Sequence, residues 1–116
     1  MTIKKKDMIG LTERITLIGN SGKTKTLIAR IDTGAVISSL DLKLAAELEL
    51  GPVKKTKKVK NANGITERPV VDCTFVLNDK SYKMDVTLAD RKHLKYRVLI
   101  GQNILKKTKL YINPRM

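Results

Sequence analysis

The chain is poor in aromatic residues, with no tryptophan, one phenylalanine and three tyrosines among 116 residues. So few flat rings leave little from which to build a base-stacking surface for single-stranded nucleic acid. One cysteine, Cys73, excludes an intrachain disulfide and agrees with a reducing compartment. With one histidine, His93, and no His-Glu-x-x-His, no tetrahedral metal site can be assembled from familiar ligands. No apolar run approaches the roughly 18 residues of a membrane span. The opening Met1-Thr2-Ile3-Lys4-Lys5-Lys6 is followed by no apolar stretch of the kind a secretory signal needs. Together these absences set the expectation of a cytoplasmic protein without metal, cofactor or membrane partner.

Acidic residues are also scarce. Eleven of them face 24 lysines and arginines, a net charge of +13. Such a field attracts polyanions, whether nucleic acid, an anionic membrane surface or an acidic polypeptide, although a solvated basic surface carries the same composition. The length suits a single domain with one modest core. Apolar residues at 41% and charged residues at 30% are a globular balance.

Short alternating segments dominate the pattern. Met8 to Gly19 places Ile9, Leu11, Ile15 and Leu17 at apolar positions, and Thr24 to Ile31 places Leu27, Ala29 and Ile31 on one face. The intervening Gly19-Asn20-Ser21-Gly22-Lys23 is turn chemistry, so the two segments predict a β-hairpin. Val53 to Lys60 and Ile65 to Leu77 predict a second hairpin around Asn61-Ala62-Asn63-Gly64. Val71, Cys73, Phe75 and Leu77 alternate with polar neighbours, as do Tyr82, Met84, Val86 and Leu88. Short strands are expected at Ala35–Ile37, Arg97–Ile100 and Leu110–Ile112. The only convincing helix is Leu42–Leu48, capped by Ser39 or Asp41 and stopped by Gly51-Pro52, with a brief helix suggested at 101–105. The expected fold is an all-β barrel or sandwich over residues 8–116, preceded by a basic segment, 1–7.

Asp32 ends an apolar strand, where desolvating an unpaired carboxylate is costly. Gly34 lets the backbone turn and bring its N–H to that carboxylate, and the Thr33 hydroxyl can brace the loop. Two carboxylates held close cannot both ionise, so one keeps a proton while the other acts as a base on water. An Asp-Thr-Gly by itself is equally an ordinary Asx turn. Gly19-Asn20-Ser21-Gly22-Lys23-Thr24 is no phosphate loop, having two residues between its glycines where that motif needs four.

Leu27-Ile28-Ala29-Arg30-Ile31-Asp32-Thr33-Gly34-Ala35 resembles the active-site strand and loop of the retropepsin-like aspartic peptidases. Arg97-Val98-Leu99-Ile100-Gly101-Gln102-Asn103-Ile104-Leu105 resembles that family's second signature, and Asn61-Ala62-Asn63-Gly64-Ile65 falls where the family carries its flap. The stretches 29–40 and 88–91 look most like a prokaryotic branch labelled ATP-dependent zinc protease and found beside ATP-grasp amino-acid ligases. The resemblance implies a closed acid-protease barrel with one short helix, acting as a two-fold homodimer on a peptide. Asp32 of each chain would form the catalytic dyad. Thr33 would bond across the axis and Gly34 would accept substrate backbone, with Ala35, Asn63, Gly64 and Ile65 also contacting substrate. Retroviral members pair an Asp two residues after the signature glycine with an Arg after the later glycine; here Val36 and Gln102 occupy those positions.

The ligases of that branch append glutamates, so the lysines at 54, 55, 57, 58 and 60 would steer an acidic substrate to the cleft. Two other readings use the same residues: a non-catalytic retropepsin-like binding module, and a small basic RNA-binding barrel with Asp32 structural.

Overall fold

The computed structural model describes residues 2–116, and for Asn61 the backbone only. Nine strands form: β1 (Met8–Ile9), β2 (Thr12–Ile18), β3 (Thr24–Ile31), β4 (Ser38–Asp41), β5 (Lys55–Asn61), β6 (Gly64–Leu77), β7 (Lys80–Ala89), β8 (Val98–Ile100) and β9 (Tyr111–Ile112). Two short helices accompany them, α1 (Leu42–Glu47) and α2 (Gln102–Leu105), together with a 3-10 turn at Lys5–Asp7.

Six strands close on themselves in the order β2-β3-β8-β4-β7-β6, with Thr16, Leu17 and Ile18 of β2 returning to pair Val76, Phe75 and Thr74 of β6. Closure removes the exposed edges an open sheet would leave. The inward residues of both expected hairpins, with Val86 of β7, fill the barrel: Ile15, Leu17, Ala29, Val71, Phe75, Leu77 and Val86 are each essentially inaccessible. Phe75 is the largest of them, so the scarcity of aromatics is met by a core of branched aliphatics.

β6 is long enough to do two jobs. Its second half belongs to the barrel, while its first half leaves with β5 as a projecting hairpin, paired from Lys55↔Val70 to Asn61↔Gly64. Gly64 has φ +119°, a conformation that favours glycine, and so turns the chain at the tip. Lys54 fixes the base of this hairpin, its Nζ lying 3.0 Å from Asp72 Oδ1 and 2.8 Å from Asp85 Oδ1.

Two expectations are corrected. Met8–Gly19 is not one strand: it breaks at Gly10-Leu11, and Leu11 is left 52% exposed. Before the break, β1 pairs parallel with β9 in a separate two-stranded sheet. Ala35–Ile37 is loop, and the strand is β4, one step later, where Ser38, Ser39, Leu40 and Asp41 are all buried between β7 and β8. The apolar run 35–37 stays a loop because its carbonyls are taken up by the backbone N–H groups of α2. The brief helix suggested at 101–105 does form, as α2.

Candidate active site

β3 runs parallel to β8, with Arg30 opposite Leu99 and Ile31 opposite Ile100. The pairing extends one residue further, since the Asp32 N–H donates to the Ile100 carbonyl at 2.9 Å. Asp32 is therefore held at the point where two barrel strands end together. The Gly34 N–H donates to Asp32 Oδ1 at 3.0 Å, the contact its sequence position suggests. Asp32 Oδ2 has no hydrogen-bond partner among the described residues.

The loop after Asp32 lies across the start of α2. Gln102 N–H donates to the Ala35 carbonyl (2.8 Å) and Asn103 N–H to that of Val36 (3.1 Å). The Gln102 side chain donates to the Thr33 carbonyl at 2.9 Å. The brace is thus Gln102 acting on the Thr33 backbone, whereas the expected brace was the Thr33 hydroxyl. Position 102 keeps a role at this loop although the ion pair seen in retroviral members is absent. A Cβ on Gly101 would stand 2.8 Å from the Ala35 carbonyl oxygen and 2.9 Å from the Ile37 carbonyl carbon, so only glycine lets loop and helix approach this closely.

Two polar groups missed in the sequence, half-buried Asn103 and buried Asp41, lock the surroundings. Asn103 Oδ1 accepts from the Ser38 N–H and hydroxyl, and its amide donates to the Asp85 carbonyl at 2.7 Å. Ser38 Oγ in turn accepts from the Gly101 N–H at 2.9 Å. The second group is Asp41, 1% exposed. It caps α1 through Leu44 N–H, accepts from Arg91 N–H (2.8 Å), and pairs with the Arg97 guanidinium at 2.9 Å. Burial pushes the Asp41 carboxyl up, but the Arg91 N–H, the Arg97 guanidinium and the Leu44 N–H outweigh it and hold the group below its usual value. Because Arg91 and Arg97 bound one loop, Asp41 closes residues 91–97 at its base. No spacing rule links position 41 to 97, so nothing in the sequence announced the pair.

Beneath the projecting hairpin lies a cavity of about 390 Å³ lined by Gly34, Ala35, Val36 and Ile37 of the loop, by Ser39, Thr87 and Leu99 of the barrel, and by Lys57, Lys58, Val59, Lys60 and Arg68 of the hairpin. Two of the predicted site residues, Gly34 and Ala35, are therefore brought against the hairpin stem. Asp32, Thr33, Asn63, Gly64 and Ile65 are not part of its lining. Ile65 is 62% exposed near the tip. Arg91 is electrostatically coupled to this region: burial and then the Arg68 charge depress its guanidinium, while Asp41 and Asp32 act in the opposite sense.

Cys73 is buried, and burial pushes its thiol up to about 12, which removes it as a nucleophile. His93 is exposed on the 91–97 loop. Among the described residues no three His, Cys, Asp or Glu side chains converge as a metal site, so the residues do not fit a bound zinc. No helix is long and apolar enough to cross a membrane.

A family model described as RimB-like, retropepsin-like aspartic endopeptidase RimB, matches residues 42–116. The chain belongs to this family. The matched span holds β5–β9 and both helices but stops short of Asp32. Solved structures give the same fold. A Legionella pneumophila protein of unknown function (DUF785) aligns with TM-score 0.64 and 23% identity over 94% of each chain. The EIAV protease bound to the inhibitor HBY-793 aligns with TM-score 0.68 and 19% identity over 88% of this chain and 90% of its own. The simian foamy virus protease aligns with TM-score 0.52 and 19% identity over 77% and 87%. These identities establish the fold alone. None of the curated proteins matches the chain.

Proposed function

We propose that the protein is an aspartic endopeptidase whose catalytic unit is a homodimer, with Asp32 from each chain forming one carboxylate pair. The observation that carries this reading is the state of Asp32: its backbone and Oδ1 are fixed by Ile100 and Gly34, and its Oδ2 has no partner among the described residues. One chain supplies one such group, and a two-fold axis at the loop would supply the second.

In the pair, one Asp32 keeps a proton and the other is ionised. The ionised carboxylate takes a proton from water as the water oxygen bonds to the peptide carbonyl carbon. The protonated carboxyl gives its proton to the carbonyl oxygen. Collapse of the tetrahedral diol then returns a proton to the departing amide nitrogen as the C–N bond breaks. Thr33 and Gly34 hold the loop, and Gly34, Ala35, Asn63, Gly64 and Ile65 contact the peptide. The +13 charge and the hairpin lysines favour acidic peptides.

Asp32→Asn tests the reading. Hydrolysis of an unstructured peptide should fall by about a thousandfold or more while the variant remains folded and sediments as the wild type does. Unchanged hydrolysis would overturn it. Salt-sensitive RNA retention, with no peptide cleavage by the wild type, would favour the binding-barrel reading instead.

A further inference from the structure

Three stretches far apart in sequence meet at the N-terminal segment. The 3-10 turn Lys5–Asp7 lies against the β6–β7 turn, where the Asn78 side-chain amide donates to the Lys6 carbonyl. The same segment runs into β1, whose parallel pairing sets Met8 opposite Tyr111 of β9. Two adjoining hollows of about 200 and 380 Å³ result, and Lys6, Asp7, Lys80 and Lys109 line both. Lys4 and Tyr111 belong to the larger, Asp79 and Tyr82 to the smaller. None of these residues lines the cavity beside the Asp32 loop.

Lys4, Lys6, Lys80 and Lys109 are all exposed, and none forms an ion pair among the described residues. Elsewhere Lys23, Lys54, Lys92 and Arg97 each find a carboxylate. Asp7 and Asp79 stand within the cluster, yet neither pairs with its lysines, so four cations face two anions. The chain has four aromatic rings, and two of them, Tyr82 and Tyr111, border this cluster. Tyr111 is 47% exposed.

Lysines alone would attract any polyanion. The rings and carboxylates decide among them. An acidic polypeptide has side chains that only accept hydrogen bonds, so they can use the lysines but neither the tyrosine faces nor Asp7 and Asp79. A ribonucleotide uses all three: phosphates for the lysines, a base face for a tyrosine ring, and a 2′-hydroxyl donor for a carboxylate. A duplex hides its base faces, which leaves an unpaired strand as the fit.

We propose that this surface binds single-stranded RNA, with bases against Tyr111 and Tyr82 and phosphates on Lys4, Lys6, Lys80 and Lys109. The site stands apart from the Asp32 cavity, so it is independent of the peptidase reading, and RNA and a peptide can be held together.

Full-length protein is titrated with a labelled oligouridylate over a range of salt, with oligodeoxyuridylate and oligoglutamate of matched length as competitors. Binding should be measurable at low salt and weaken steeply as salt rises. Lys109→Met should weaken it about fivefold and reduce the slope of log affinity against log salt by about 0.7. Lys43→Met, which removes an exposed charge on α1, should change neither. Tyr111→Leu should weaken binding about fivefold or more with the slope kept, and Tyr111→Phe should retain wild-type affinity. Both competitors should displace the RNA at least about fivefold less well than unlabelled oligouridylate does. Asp32→Asn should bind RNA as wild type does, and Lys109→Met should cleave a free peptide at the wild-type rate.

Equal losses for Lys109→Met and Lys43→Met would reduce the effect to net charge and overturn the surface. Oligoglutamate competing as well as the RNA would make it a dock for acidic polypeptides and overturn the assignment. Full binding by Tyr111→Leu, or no RNA binding at low salt, would do the same. RNA bound without peptide cleavage by wild type would keep the surface and sink the peptidase.

Discussion

Asn103 Oδ1 receives two hydrogen bonds from Ser38, one from its N–H and one from its hydroxyl, each 2.8 Å long. The two residues are far apart in sequence, and their contact ties α2 to the first residue of β4. Since the Asp32 loop is the chain between β3 and β4, this contact fixes its far end, as the Ile100 carbonyl fixes its near end.

Asn103→Leu should therefore cost about 2–3 kcal/mol, because the buried Ser38 N–H and the Asp85 carbonyl would lose their partner. Chemical denaturation of the variant checks the value. A change below about 0.5 kcal/mol would mean the network is dispensable.

Gly101→Ala should destabilise by a similar or larger amount. The added methyl would meet backbone atoms of Ala35 and Ile37, neither of which can swing aside as a side chain can. Amide exchange should show the damage concentrated in residues 32–38. A variant as stable as wild type, with unchanged exchange there, would contradict the close approach.

Asp41 predicts a pH dependence. Its folded carboxyl lies below the usual value, so its contribution to stability is complete above the unfolded carboxylate range and is lost as pH falls through the folded value. Asp41→Asn should lower stability at neutral pH by about 3 kcal/mol, leaving Arg97 without its partner. Its stability should then fall less steeply than wild type between about pH 5 and pH 2. Parallel curves would refute the role.

Cys73 should resist alkylation by iodoacetamide at neutral pH in the native protein and react once denaturant unfolds it, since burial suppresses the thiolate. Rapid native labelling, followed by mass, would show that β6 opens.

What could be read from the sequence was what repeats at short range. Alternation at Val71, Cys73, Phe75 and Leu77 gave the barrel face, and the glycine turns at 19–23 and 61–64 gave both hairpins. The Asp-Thr-Gly loop and the Gly-Gln-Asn segment were visible as separate signatures, but their mutual contacts were not, because parallel pairing of β3 and β8 joins residues distant in the chain. Asp41 looked only like a helix cap; its ion pair with Arg97 needs the tertiary fold.

The central claim is that two chains share one catalytic carboxylate pair, and mixing tests it most directly. Wild-type protein is combined with an equal amount of Asp32→Asn, allowed to exchange subunits, and assayed on an acidic peptide at fixed total concentration. If each pair draws one Asp32 from each chain, mixed dimers are inactive and activity falls to about a quarter of that of undiluted wild type. A fall to about half, the value for chains that act independently, would contradict the account.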